Sequence, residues 1–412
     1  MKPEFISPRG PTLGASSHIL QRKHVAGGMQ VSIIIPKYSH FARPGRKEFS
    51  LATTPIAQTS KIRLIRSIQW LRGIAALAVV MLHASEVLVK YNVTVPILSG
   101  LKFGGWGVDL FFVISGFIMV FIVRDSTGKL SDTRNFWLRR LVRIAPPYWI
   151  FMSIVVVISI VAPRFTEYKP SVDHILASYL FIPWTDLRGI VAPPLRIGWS
   201  LNYEAYFYLV FGLMFLLPAR QRLGTLIFWA IASVLMGYCW TPENPLLKMI
   251  TDTRLLEFVS GAVIGHLWMR GKVLPLPLAI VALTGGAILI CIGDIYANHL
   301  PPALSLGIAA TMIVSGAVGI ESRHGDTFQW AFPKKLGDWS YAIYLTHILT
   351  LGIFGRVLIA LKLDQHFSAT LVLFLAICAA TMVGWFVYRF IERPMHAWMD
   401  QSLFPRSRRT VI

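Results

Sequence analysis

Apolar residues in this chain come in long runs broken by short polar stretches, and the runs have the length that spans a bilayer. Ten of them, each about 17–22 residues, lie at about 68–89, 106–123, 147–163, 200–218, 223–240, 254–269, 275–292, 302–320, 338–358 and 368–390. A helix rises about 1.5 Å per residue, so roughly 20 apolar residues cross the hydrocarbon core. In lipid every backbone polar group needs a partner within the segment, which makes these runs helices. The pattern predicts an all-α polytopic membrane protein with about ten transmembrane helices. The stretch 175–183 is too short to cross and reads as re-entrant or interfacial.

The polar residues inside the runs are the next signal. Arg72 and His83 stand eleven residues apart in the first run. Eleven steps of about 100° return His83 to within roughly 20° of Arg72, about 16 Å further along the helix. With Arg72 at the membrane surface, His83 lies near mid-depth on the same stripe, where an ionisable side chain is costly and marks function by default. Arg140 and Arg143 are three apart and share one face of a short helix that Pro146 is predicted to end. Their planar guanidinium groups suit phosphate; the plainer reading is an anchor on anionic lipid. Ser340, Tyr344 and His347 recur at i, i+4 and i+7, a polar stripe that brings His347 to the depth of His83. Ser115, beside Gly116, reads as a helix-packing position. Asp109, Asn202 and Glu204 fall toward the outer ends of their runs. Cytoplasmic arginine, central histidine and outer glutamate would form a polar column through the membrane.

Composition agrees with the pattern. Of 412 residues, 55% are hydrophobic and 15% charged, with mean hydropathy +0.58. No single soluble core hides that much apolar surface. The net charge of +20 is a matter of topology: of 40 Lys and Arg, 30 fall on the side that holds both termini and 10 on the other. The positive-inside bias therefore predicts cytoplasmic termini. No aromatic platform accompanies the basic residues, so nucleic acid is not an expected partner. Cys239, Cys291 and Cys378 lack metal or redox spacing and are expected to be unpaired, and no metal site is expected. Residues 1–60, basic and rich in Pro, Ser and Gly, predict a disordered cytoplasmic tail within which Met29 is a candidate start. Residues 61–400 form the membrane domain and 401–412 a short basic tail. No repeat of fixed period supports a pseudo-symmetric transporter.

Six segments taken in order resemble the integral-membrane acyltransferase 3 family, especially its bacterial exopolysaccharide O-acetyltransferase branch. They are Arg72 with His83; Asp109 through Ser115, Gly116 and Phe117; Arg140, Arg143 and Pro146; Trp199 through Asn202 and Glu204; Ser340 through Tyr344 to His347; and Glu392-Arg393-Pro394. The likeness covers about 62–400. It implies transfer of an acyl group, commonly acetyl from acetyl-CoA, to a hydroxyl of an envelope or exported glycan. It also implies a bacterial inner membrane, with polysaccharide assembly machinery as a candidate partner and no tightly bound cofactor. Imidazole titrates near neutral pH, so His83 is the candidate general base, with Glu204 on the acceptor side. Arg72, Arg140 and Arg143 are the candidates for CoA phosphates, and Tyr344 and His347 for the thioester pocket. Asp109, Ser115 and Asn202 are acceptor-side or structural candidates. A covalent acyl-histidine stays open, as do two other classes: a proton-coupled transporter or flippase, and an inactive scaffold.

Overall fold

A computed structural model of the chain describes residues 65–93, 104–123, 126, 128–166, 168–296, 306–325 and 327–404. The predicted tail at 1–60 lies outside them, as does 405–412. The helices are α1 (Arg66–Lys90), α2 (Trp106–Ile122), α3 (Leu130–Val161), α4 (Val172–Tyr179), α5 (Trp199–Leu213), α6 (Ala219–Trp240) and α7 (Pro245–Ile250). They continue with α8 (Leu255–Met269), α9 (Leu276–Tyr296), α10 (Ile308–Arg323), α11 (Ala331–Ala360), α12 (Ala369–Val387) and α13 (Arg393–Leu403). A π turn, Tyr388–Glu392, joins the last two. All ten predicted runs fall wholly or largely on these helices. Among the described residues, five stretches are long and apolar enough to cross a membrane: α1, α3, α6, α11 and the continuous α12–α13. Five of the expected ten or so crossings meet that length and composition by themselves, with α2 and Leu276–Ile292 of α9 as shorter apolar helices. The protein is an all-helical integral membrane protein. Cys239, Cys291 and Cys378 are free.

The first correction to the sequence reading is in α3, which does not stop at Pro146 but runs through both Pro146 and Pro147. Proline removes the donor that would bond four residues back and frees that carbonyl. The carbonyl of Arg143, which Pro147 cannot serve, accepts instead from His396 Nε2 of α13 at 3.1 Å. The next carbonyl, Ile144, accepts from the Tyr341 hydroxyl of α11 at 2.5 Å. Neighbouring helices thus steady the proline segment, and the two arginines stay on a continuous helix.

Helix α1 has no capping side chain of its own. Glu321, near the end of α10, takes that role from 254 and 255 residues away. Its carboxylate accepts from the backbone N–H groups of Arg66 and Ser67, both at 2.9 Å, and from Ser67 Oγ at 2.7 Å. A negative group at a helix N-terminus satisfies orphan donors and complements the helix dipole.

Two glycine pairs set the contacts that matter for the site. A Cβ on Gly337 of α11 would lie 2.0 Å from the Gln69 carbonyl oxygen, and one on Gly73 of α1 would lie 2.8 Å from Leu336 Cβ. Backbone therefore meets backbone where α1 crosses α11. Between α2 and α8, a Cβ on Gly116 would stand 1.8 Å from the Phe258 oxygen, and one on Gly261 1.8 Å from the Val113 oxygen. Phe258 also stacks on Phe112 of α2 and Phe207 of α5, with ring centroids 4.5 and 4.4 Å apart, which ties α5 into the same unit. Gly337→Val should push α1 off α11 and cost about 1–3 kcal/mol or more. Lower thermal stability and loss of monodisperse protein in detergent would report it. Gly224→Ala, with nothing within 4 Å of the added carbon, serves as the neutral control.

The connection from α3 to α5 carries α4, whose eight residues fit the expectation of a segment too short to cross. His174 is 1% exposed and pins this connection: Nε2–H donates to the Ala192 carbonyl at 2.9 Å, and Nδ1 accepts from Tyr168 at 3.0 Å. Burial holds this imidazole below its ordinary range, against the opposing pull of the Ala192 carbonyl. A depressed histidine contributes stability that is present above its ordinary pKa of about 6.5 and is lost as pH falls below it. Protease nicking within 163–198 should therefore rise between pH 7.5 and 5.5. His174→Gln should weaken that dependence.

Candidate active site

Arg72 projects from α1, Arg140 and Arg143 from α3, Ser115 from α2, Ser200, Glu204 and Tyr208 from α5, and Ser340, Tyr341 and Tyr344 from α11. All ten line one cavity, whose empty space of about 730 Å³ includes its open mouth. Phe111, Phe112, Ile118 and Met119 supply part of its apolar wall. A mostly apolar concavity with a few converging polar groups is the usual form of a small-molecule site.

The central carboxylate is Glu204. Ser115 Oγ donates to its Oε1 at 2.8 Å, and the Tyr208 hydroxyl, one turn along α5, donates to the same oxygen. The Arg140 guanidinium lies over the Tyr208 ring, 6.0 Å from its centroid. Arg140 is 5% exposed and its Nε has no hydrogen-bond partner. Arg72 Nη1 donates to Gln69 at 3.2 Å. Glu392, 7% exposed with Oε2 unpartnered, stands near Arg143 and Arg72 behind the wall. Among the described residues none of the three arginines is closed into an ion pair. Three guanidinium groups share the lining with one carboxylate, while Glu392 and Asp338 act on Arg72 from outside it, so the lining itself presents positive charge to an anion.

This arrangement differs from the polar column read from the sequence. There Glu204 and the arginines stood at opposite faces; here they share one cavity, because α5 packs beside α2 and α3 with its second turn at the level of Ser115 and Arg140. Ser115, expected to be a packing position, instead orients Glu204, while its neighbour Gly116 makes the close contact.

His83 and His347 lie beside the cavity and do not line it. Their rings stack with centroids 5.3 Å apart and planes 28° from parallel. The His347 ring is 5.8 Å from that of Tyr344, which does line the cavity. Tyr344 is fixed by donating to the Ile197 carbonyl at 3.0 Å and by Ser200 Oγ at 2.7 Å. His347 is fully buried; its Nδ1 faces the Ile343 carbonyl at 3.2 Å and its Nε2 is unpartnered. A carbonyl only accepts, so Nδ1 carries the proton and Nε2 presents a bare lone pair. His83 Nδ1 meets Glu86 Oε2 at 2.7 Å.

Asp109 and Asn202 fall outside the cavity lining. Asp109 belongs with Glu257, Arg254 and Asp252 across the α2–α8 contact. There Arg254 pairs with Asp252 at 3.3 Å and Tyr203 donates to Asp252 at 3.0 Å. Asn202 is 3% exposed, with Oδ1 unpartnered. Tyr208, Glu257 and Glu86 are site-region residues to which sequence reading gave no role in the site, and Glu392 entered it only as part of a motif. Tyr208 follows Glu204 by four and Glu86 follows His83 by three, so helical spacing marks both. Nothing local marks Glu257.

The model of the acyltransferase 3 family, an acyltransferase domain, matches residues 65–390. Exopolysaccharide production protein ExoZ of Rhizobium meliloti (strain 1021) is 33% identical over 71% of this chain and 89% of its own length. "Putative O-acetyltransferase SACOL0978" of Staphylococcus aureus (strain COL) is 24% identical over 83% of this chain, which spans 59% of that protein. "Putative peptidoglycan O-acetyltransferase YrhL" of Bacillus subtilis (strain 168) is 24% identical over 70% of this chain, which spans 49% of it. No solved structure matches the chain. With the family model covering most of the described helices and the six motifs in order, the chain belongs to the acyltransferase 3 family and is an integral-membrane acyltransferase.

Proposed function

We propose that the protein moves an acyl group, acetyl by default, from cytoplasmic acyl-CoA to a hydroxyl of an extracytoplasmic or lipid-linked glycan such as exopolysaccharide or O-antigen. The observation that carries this reading is the cavity in which Arg72, Arg140 and Arg143 outnumber Glu204, with the His83–His347 pair just beyond Tyr344. The family supplies the reaction class, and the similarity to ExoZ favours an exported polysaccharide as acceptor. The excess of Lys and Arg on one side favours cytoplasmic termini, which would set the arginines toward the CoA pool.

In this reading the three arginines hold the phosphates of CoA, and the unpartnered Arg140 Nε is one donor that a phosphate oxygen would satisfy. The thioester extends past Tyr344 to the histidines. As the acceptor oxygen attacks the acyl carbon, its proton passes to His83 Nε2. The C–S bond then breaks, the thiolate leaves, and the imidazolium returns the proton to sulfur, so none is consumed. Tyr344, fixed by Ile197 and Ser200, shapes the thioester's path, and Glu204, held by Ser115 and Tyr208, receives sugar hydroxyls.

Binding of radiolabelled acetyl-CoA to the purified protein in nanodiscs tests the donor. Saturable binding competed by CoA is expected, and none by well-folded protein would remove the reading. Glu204→Gln keeps the shape and removes the charge. It should lower transfer to the glycan about tenfold, the scale of one charged hydrogen bond, without weakening donor binding. Full activity with the natural acceptor would strip Glu204 of its role.

A further inference from the structure

His83 and His347 resemble each other in one respect that the reaction scheme leaves unused: each has its Nδ1 engaged on its own helix. For His347 the partner is the Ile343 carbonyl at 3.2 Å. For His83 it is the Glu86 carboxylate at 2.7 Å, one turn further along α1. Carboxylate and carbonyl both accept, so both rings carry a proton on Nδ1, and in the neutral imidazole Nε2 is then the acceptor. In their neutral forms the two stacked rings share this tautomer, set for each by a partner on its own helix. Glu86 on its own helix and His347 across the contact both touch His83, and Lys90 follows Glu86 by one turn on α1.

The contact to Glu86 is specific in its geometry. A residue three positions on projects from the same face of a helix, within reach of an imidazole. The Glu86 side chain is 59% exposed while that of His83 is 24% exposed, so the carboxylate approaches from the open side and the ring is turned inward toward His347. A carboxylate in this position selects the tautomer, holds the ring plane and balances the charge that forms when Nε2 takes a proton.

We propose that Glu86 is the positioning residue for His83, holding its Nδ1–H so that Nε2 faces the acceptor hydroxyl beside His347. The proposal rests on the reading of His83 as the base. Glu86→Ala should lower kcat about 10- to 100-fold with the KM for acetyl-CoA unchanged, because the arginine cavity is untouched. Glu86→Gln keeps an oxygen that accepts from Nδ1–H and should recover activity to within a few-fold of wild type. Selective [15N]histidine labelling, with the His83 signal assigned by difference against His83→Ala, reads the tautomer directly in the bilayer. The Nδ1–H form is expected in wild type and Glu86→Gln, and a mixture of tautomers in Glu86→Ala. Retention of the pure Nδ1–H form in Glu86→Ala, or full kcat there while His83→Ala is inactive, overturns the positioning role. Full activity of His83→Ala overturns the reading beneath it instead, and the tautomer spectra then still decide whether Glu86 orients the ring.

Discussion

His83→Ala should lower acyl transfer by about 10²–10⁴-fold, the usual contribution of a positioned base, while leaving acetyl-CoA binding intact. Two features make this effect large. His83 stacks on a histidine whose own Nε2 is buried and unpartnered, so the pair offers proton-accepting lone pairs where hydrated groups are scarce. No other imidazole is in ring contact with that pair among the described residues. The separation of turnover from binding follows from the geometry, because His83 lies beside the cavity and the arginines line it. Single-turnover transfer and equilibrium binding, measured on one preparation, would check both halves. Binding lost together with turnover would mean that His83 supports the fold of the cavity and not the reaction.

Arg140→Ala should weaken acetyl-CoA binding about 10- to 100-fold, since a hydrogen bond to a charged group is worth about 1.5–3 kcal/mol. Arg140 is singled out among the three arginines because it is the most buried, with its guanidinium over Tyr208 and its Nε without a partner. Arg140→Lys keeps the charge but neither the planar fork nor the ring contact, and should recover only part of the affinity. Removal of Arg140 also strips Tyr208 of its cationic neighbour, so measuring glycan and donor affinities separately in that variant compares the Glu204–Tyr208 side with the donor side. Donor affinity unchanged in Arg140→Ala would remove the phosphate role from this residue.

How much of this could be read before the structure depends on where the partners sit in the chain. Pairs on one helix were legible because 3.6-residue periodicity fixes them: Arg140 with Arg143, Ser340 with Tyr344 and His347, and Arg72 with His83 along α1. That His83 and His347 share a depth followed from counting residues inward from the membrane surface, and their rings do meet. Relations between helices were not available in the same way. Ser115 and Glu204 are 89 residues apart, and only the packing of α5 beside α2 brings them to 2.8 Å. Depth reckoned along separate helices put Glu204 and the arginines at opposite faces, because it ignores how far each helix is shifted along its neighbour. The Glu321 cap on α1 is a long-range device with no local signal at either end. Pro146 misled for the opposite reason: the local rule that proline ends a helix is sound, but His396 and Tyr341 supply the two carbonyls near it with outside donors.

The most direct test of transfer across the membrane uses proteoliposomes with a defined protein orientation. Radiolabelled acetyl-CoA is supplied only on the side of the chain termini and the glycan acceptor only on the other. Label on the glycan, lost in His83→Ala and restored in no variant that lacks the histidine, is the expected result. Transfer only when donor and acceptor share one side, or proton-coupled movement of the glycan without acetyl-CoA, would contradict it.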